Sequence, residues 1–381
     1  MKNDQLMDWA ELSEQNWGTL LVGNGLSMNL WQGFGYSRLL DACHVDDAVR
    51  TVFEQLGTAN FEQVLEALNT AHTVLAAMEA DHDNVDGAYE TVKNALFDAV
   101  IESHVPWTKF PVSAHRVVAE EVNRFRSVFS TSYDLCIYWS VVYMKDTLPG
   151  LETKDFMFDG ENFNPSDTGV KRGATRMFFP HGGLHLWHDD STGTSGKWRR
   201  ASSPSGKSGK SRPLLKIRDE YTARNTRRPL FVSEGTHEAK LRAILRSPYL
   251  TFCLDELRDD SRNTVVFGHS LSDADCHIVE ALADGPERTV AVALRPSRDS
   301  ALLQAQMHEI RGKLVGHTAG GRHRWGENYS PADLRTSVVA ARAASVDHFW
   351  TDRRHFEPRE SSFTLDRPYA WSVQWGYGNE T

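Results

Sequence analysis

The hydrophobic positions of the chain fall into short, nearly continuous apolar runs separated by longer segments with helical periodicity. The runs are Thr19 to Val22, Val128 to Ser130, Met177 to Phe179, Leu230 to Val232, Thr264 to Phe267 and Thr289 to Leu294. Amphipathic stretches such as Ala114 to Arg126 and Ala239 to Leu250 lie between several of them. A strand that is apolar at every position is buried on both faces, which is the condition of a parallel sheet covered by helices. The pattern therefore predicts an α/β fold, a Rossmann-like, mostly parallel sheet with helices on both faces. Residues 44–103 add a helical insertion outside that sheet. Phe61, Val64, Leu65 and Leu68 form one stripe there, and Asn60 and Gln63 are spaced as a capping pair.

Charge changes this picture in two places. From His44 to Ser103 twelve Asp or Glu stand against two basic residues, Arg50 and Lys93, so the insertion is read as carrying a solvated acidic face. From Ser191 to Leu230 eleven Lys or Arg stand against two acids, Asp219 and Glu220. That basic stretch begins STGTSGKWRRASSPSGKSGKSRP, rich in Gly, Ser and Pro and without periodicity, so residues 188–228 are expected to form a mobile surface loop. Such a loop is either simply solvated or suited to phosphate or nucleic acid. Its GKSGKS is not a P-loop: the positions five residues before each GK hold Ala201 and Pro204 instead of glycine, and no strand precedes it.

Length and composition set the remaining bounds. A chain of 381 residues, 40% hydrophobic and 24% charged, can bury a sizeable core, and residues 1–381 read as a single α/β domain with 300–381 as a C-terminal extension. No apolar run approaches the roughly 18 to 20 residues that span a bilayer, and MKNDQLMDWAELSEQ is too polar for a signal peptide. A cytoplasmic protein without a membrane partner is expected. The cysteines Cys43, Cys136, Cys253 and Cys276 are widely separated, so they read as reduced, mostly buried thiols and not as a zinc site.

In open parallel sheets a ligand lies beyond the carboxyl ends of the strands, so the residues after each run are where chemistry is sought. GNGLSMN follows the first run: Gly23 and Gly25 permit a sharp turn and close approach to a ligand, and the next helix offers N–H groups to a phosphate, although packing alone also explains such glycines. SVFSTSYDL, residues 127 to 135, ends the second run in hydroxyls, an aromatic and an acid, and reads either as a ligand shelf or as the cap of the next helix. PHGGLHLWHDD follows the third run, with His181 suited to general-base work and two glycines that leave room beside it. His185 and His188 share a face with His181 only in a helix, which Gly182 and Gly183 oppose, so no metal is assigned. GHSLSDADCHI follows the fifth run: Gly268 and Ser270 suit a ribose or phosphate, whereas Ser272, Asp273 and Asp275 also read as a helix cap with first-turn acids.

Taken in order, GNGLS, STSYD, HGG, RPLFVSEG and GHSL resemble the motif series of the sirtuin-like superfamily over roughly residues 15 to 300. That series runs glycine-alanine-glycine-isoleucine-serine, threonine-glutamine-asparagine-x-aspartate, histidine-glycine, arginine-proline before a strand ending in glycine-glutamate, and glycine-threonine-serine-leucine. YDLCIYW, HGGLHLWHD, VSEGTHEAK and FGHSLSDAD look closest to bacterial sirtuin-like proteins without a zinc module. The interval Leu184 to Arg227, where sirtuin deacylases carry four zinc-binding cysteines, holds none, which disfavours lysine deacylation. Ser132 stands at the position of the family's asparagine, which positions water and the ribose hydroxyls, and Asp134 keeps the aspartate.

The resemblance implies an NAD glycohydrolase releasing nicotinamide and ADP-ribose, an activity that in such proteins often serves antiphage defence by depleting NAD. It implies diphosphate binding by Gly23, Asn24, Gly25 and Ser27 and an adenosine side at Gly268, His269 and Ser270. Asp134 would hold the nicotinamide, His181 would act as base, and Ser132 would orient water weakly, having no amide. Two other readings stand beside this one: a non-catalytic sensor of NAD or an ADP-ribose derivative, and a nucleic-acid-associated effector that uses the basic loop. Self-association into a homo-oligomer is compatible with each.

Overall fold

The computed structural model describes residues 7–8, 12–13, 15–198, 226–294, 299–321 and 336–342, apart from positions 107, 108, 146, 159–161 and 168. Its strands are β1 (Met7–Asp8), β2 (Thr19–Val22), β3 (Ser127–Ser130), β4 (Thr153–Lys154), β5 (Met157–Phe158), β6 (Asn162–Phe163), β7 (Thr175–Phe178), β8 (Gly182–Asp189), β9 (Thr194–Lys197), β10 (Arg227–Phe231), β11 (Thr264–Phe267), β12 (Arg288–Leu294) and β13 (Thr336–Arg342). Eight of them form one sheet in the order β1-β13-β12-β11-β2-β3-β7-β4, with every pairing parallel. All four residues of β2, of β3 and of β11 are buried. Because alternate residues point to opposite faces, both faces of the sheet centre are covered, as the continuous apolar runs predict.

Chain order fixes where a ligand can enter. From β2 the chain steps to β3 and then β7 on one side; it later returns to lay β11 against the other side of β2 and continues to β12 and β13. The direction of winding thus reverses between β2 and β11, and in open parallel sheets such a switch point is where a crevice forms at the carboxyl ends of the strands.

The connection from β2 to β3 holds the acidic insertion, helices Asp47–Gln55, Phe61–Ala77 and Asp83–Ser103. Phe61, Val64, Leu65 and Leu68 form the buried stripe of the second of these. Asn60 caps it by accepting the Glu62 N–H at 3.0 Å, but Gln63 does not reciprocate; its amide oxygen accepts from the Thr58 hydroxyl at 2.5 Å.

Three expectations need correction. The run Leu230 to Val232 does not join the parallel sheet. β10 pairs antiparallel with β8 in a second sheet of order β10-β8-β9-β6-β5. That sheet also takes the start of the segment read as a loop: β8 continues to Asp189 and returns as β9, and the Arg227 guanidinium lies 3.8 Å from the Trp187 ring centroid. The core of the basic stretch, residues 199–225, lies outside the described residues. The amphipathic segment Ala239 to Leu250 is two helices, His237–Leu245 and Pro248–Arg258, because Pro248 starts a new helix capped by the Ser247 hydroxyl. Of the C-terminal extension, the helix Ser300–Gly321 and β13 are described, and β13 adds a strand beside β12; residues 322–335 and 343–381 lie outside the described residues. Among the described residues no helix is long and apolar enough to cross a membrane.

One buried acid makes stability depend on pH. Burial pushes the Glu121 carboxyl, on helix Val112–Arg124, from 4.5 up to about 7, and Arg124 at 3.3 Å only partly offsets this. A carboxyl whose folded pKa is raised contributes stability that is complete below about pH 4.5 and is lost as pH rises to about 7. Glu121→Gln is therefore expected to stabilise the protein at pH 8 by up to about 3 kcal/mol, at about 1.4 kcal/mol per pH unit, and to change little at pH 4. Denaturant unfolding at the two pH values checks this; equal effects at both would contradict it.

Candidate functional site at the sheet switch point

A cavity of about 430 Å³ lies at the carboxyl ends of β2, β3 and β11. Its floor is Gly23, Asn24 and Gly25 after β2, Thr131 to Asp134 after β3, and Gly268, His269, Ser270, Ser272 and Asp275 after β11, with His181 entering from the β7–β8 connection. The facing wall comes from Met28, Phe34, Tyr36 and Leu39 and from the acidic insertion through Asn60, Glu62, Leu96 and Val100. The four turns singled out in the sequence therefore meet at one place. Of the residues given a binding or catalytic role there, Ser27 alone does not line the cavity: it is 1% exposed, and its hydroxyl lies 3.2 Å from that of Ser132.

The turns after β2 and β11 interlock. Gly25 N–H donates to Gly268 O at 2.8 Å, and a Cβ on Gly25 would sit 2.6 Å from Gly268 Cα. Gly268 itself has φ +64, so both positions need glycine for close backbone approach. This alters the phosphate reading, because the Gly25 N–H is already engaged by protein and the following helix, Asn24–Leu30, has only seven residues. The Asn24 side chain is tied as well, donating to Phe34 O at 3.1 Å.

The shelf after β3 is both things the sequence left open. It lines the cavity and it caps a helix: one Asp134 oxygen accepts the Cys136 N–H at 2.7 Å at the start of helix Cys136–Met144, and the other accepts the Ser132 hydroxyl. A carboxylate has about four acceptor sites, so Asp134 keeps capacity for a ligand, but Ser132 is held on both sides by Asp134 and Ser27. Nearby, the Leu135 N–H donates to His104 Nε2 at 3.0 Å, and burial keeps that imidazole below its usual pKa.

His181 is 3% exposed and shares a hydrogen bond with His277, Nε2 to Nε2, at 2.8 Å. Its Nε2 lies 4.0 Å from Asp275 Oδ1. Burial is the main cause that holds His181 well below the ordinary histidine pKa, ahead of the opposing Asp275 charge, so the ring is neutral near pH 7. Gly182 does not serve to clear space for a substrate. At φ +76 its absent Cβ would fall 2.0 Å from Leu230 O, so it is there to let β8 start against β10. His269 accepts the Leu271 N–H at 3.0 Å through Nδ1, and its Nε2 is 3.9 Å from Asp275.

The strongest charges of the site escape the sequence reading. Lys240 is 1% exposed and donates to Glu62 at 2.8 Å and to Asp275 at 2.7 Å. Burial disfavours the ammonium, but the two carboxylates outweigh it and raise the Lys240 pKa. Burial likewise opposes charge on Asp275, where Lys240 wins and the carboxyl is held far below its usual range. At Glu62 burial wins, and its pKa is raised despite Lys240. The Tyr133 hydroxyl donates to Glu62 at 3.3 Å, and the Glu62 charge, together with burial, keeps the Tyr36 phenol protonated well above its usual pKa. Asp275 does stand in the first turn after Ser272, as the cap reading has it, but it is not solvated; Asp273, 93% exposed and 3.0 Å from Lys313, is. Glu62 is not on the solvated acidic face either.

His181, His277 and Asp275 bring three ligand-type atoms together. The Lys240 ammonium bonded to Asp275 already supplies the cation there, and the short contact between the two imidazoles is a shared proton, so the set reads as a hydrogen-bond network. His185 and His188 do not converge with it: His185 stacks on Tyr138 at 4.3 Å, with its pKa lowered by burial to about 3, and His188 bonds Ser195 at 3.0 Å. The four cysteines are free, and three of them are buried.

Comparison with curated proteins finds no match. A family profile described as "Domain of unknown function (DUF4917)" matches residues 20–318, a span that contains every cavity residue and all strands from β3 to β12, and the chain belongs to that family.

Proposed function

We propose that the cavity binds NAD or an ADP-ribose derivative and that the protein cleaves the nicotinamide–ribose bond of NAD. The observation that carries this reading is the convergence of GNGLS, STSYD, HGG and GHSL on one cavity at the sheet switch point, with a neutral, buried His181 among them. Bond cleavage passes through an oxocarbenium-like ribose, which calls for nearby negative charge, a base for the incoming nucleophile and a closed, mainly apolar surround. Glu62 and Asp275 supply carboxylates and His181 supplies the base, while Met28, Phe34, Leu39, Leu96 and Val100 supply apolar wall. Asp134 would face the nicotinamide, and Gly268, His269 and Ser270 the adenosine side. A cytoplasmic location, where NAD is abundant and thiols stay reduced, belongs to the same reading and suits the four free cysteines. A role in antiphage defence rests on the sirtuin-like resemblance alone.

The test is incubation of the purified chain with NAD, followed by chromatography for nicotinamide and ADP-ribose in equal amounts. The engagement of Ser132 by Asp134 and Ser27 favours a second reading, a sensor that binds without turnover, because the hydroxyl is not free to orient water. Ser132→Asn separates the two. If the residue limits the rate, an amide restores a donor and an acceptor, and cleavage is expected to rise about threefold or more. Calorimetric binding of NAD with no product from either form would establish the sensor instead.

A further inference from the structure

The two long helices of the acidic insertion, Phe61–Ala77 and Asp83–Ser103, wall the cavity near Glu62 and Leu96 and meet at a turn at their other ends. That turn carries another cluster of ligand-type side chains, apart from His181, His277 and Asp275 and from the buried His104, Asp134 and Cys136. His72 comes from the first helix, His82 is the N-cap of the second, and Asp86 lies four residues further on. His72 Nδ1 is 2.7 Å from one Asp86 oxygen and His82 Nδ1 is 2.8 Å from the other, with the two ring centroids 4.5 Å apart. The side chains of His72, His82 and Asp86 are 41%, 33% and 45% exposed, so a hydrated ion can reach them. An acid in a first turn needs no such arrangement to complement the helix dipole. Two imidazoles aimed through the same ring nitrogen at its two oxygens, across the connection between two helices, are the added feature.

We propose that His72, His82 and Asp86 form a binding site for a divalent transition-metal ion of the zinc type. Two imidazole nitrogens and one carboxylate oxygen suit zinc, cobalt, nickel or copper; calcium and magnesium demand more oxygen ligands. All three ligand atoms lie within 4.8 Å of one another. An ion about 2.0 to 2.2 Å from each would hold them roughly 3 to 3.5 Å apart, which these exposed side chains reach by small rotations. Each imidazole then coordinates through Nδ1 and keeps its proton on Nε2, and water completes the shell. The ion would clamp the hairpin tip about 15 Å along the helices from the cavity, since ten residues separate His72 from Glu62 and Asp86 from Leu96. The site is thus distinct from the His181, His277 and Asp275 cluster.

The experiment is titration of the metal-stripped full-length chain with zinc ion alone, by calorimetry and by competition with a chromophoric chelator. One equivalent is expected to bind, with affinity reduced by about tenfold or more in each of His72→Ala, His82→Ala and Asp86→Asn. Melting curves without zinc confirm that these surface variants fold. Zinc is also expected to slow backbone hydrogen exchange across residues 70–90 in the wild type and not in Asp86→Asn. Absence of a stoichiometric equivalent overturns the proposal. So does an equivalent whose affinity is unchanged when His72 and His82 are both replaced, which would place the ion elsewhere.

Discussion

Replacing His181 with alanine is expected to lower NAD cleavage by about two to four orders of magnitude while leaving dinucleotide affinity within a few-fold of wild type. The ring is neutral because it is buried, so its base form needs no deprotonation near pH 7. Asp275, 4.0 Å from Nε2, favours the tautomer with the proton on that nitrogen, where it can be donated to His277 Nε2. Nδ1 is then the acceptor, and His181 lines the cavity. Removing the ring takes away the acceptor but leaves the backbone turns and the apolar wall that shape the cavity. Chemistry and binding should therefore separate. Turnover that survives the substitution would exclude His181 as base. A wild-type protein that neither binds nor cleaves NAD or ADP-ribose would end both functional readings while leaving the fold and the hairpin metal site untouched.

The sequence is most legible where one physical cause acts alone. β2 and β11 occupy the predicted residues because a strand buried on both faces must be apolar throughout, and turn residues mark its ends. The stripe from Phe61 to Leu68 is equally plain, since only one face of that helix is buried. Legibility fails where two causes compete. The apolar run at Leu230 has the same pattern whether its partner is parallel or antiparallel, and only the pairing with β8 decides. In Ala239 to Leu250 the helical period carries across the break, so the Ser247–Pro248 cap signal had to be weighed above periodicity.

For the site, glycines and the histidine could be located because strand ends point to them. Glu62 and Lys240 could not, and Asp275 reads only as a first-turn acid, because their pairing spans three distant segments. A faint signal existed in one of them: Lys240 lies four residues before Ile244, and both are buried positions of helix His237–Leu245. A lysine on an apolar stripe asks for a buried acid as partner.

That partnership carries the largest expected effect on stability. Lys240→Met keeps most of the side-chain volume and removes the charge, leaving Glu62 and Asp275 facing each other without a counter-ion. Breaking a buried ion network from one side costs about 3 to 5 kcal/mol, so Lys240→Met is expected to lose that much in denaturant unfolding at pH 8. The loss has a predictable pH dependence. In the wild type Lys240 holds the Asp275 pKa down, so the stability contributed by that carboxylate is present above its unfolded value near 3.8 and disappears only as pH falls through the lower folded value. Without the ammonium, burial and mutual repulsion push both carboxyls up, so the variant regains stability when acid protonates them. Lys240→Met should thus be less damaging at pH 4 than at pH 8. Combining it with Glu62→Gln and Asp275→Asn removes the stranded charges and should recover much of the loss at pH 8, because a neutral set needs no ion pairing. A uniform loss at both pH values, unrelieved by the neutral triple variant, would mean that Lys240 matters for packing, and that the charge of the cavity wall is set by solvent and not by this ammonium.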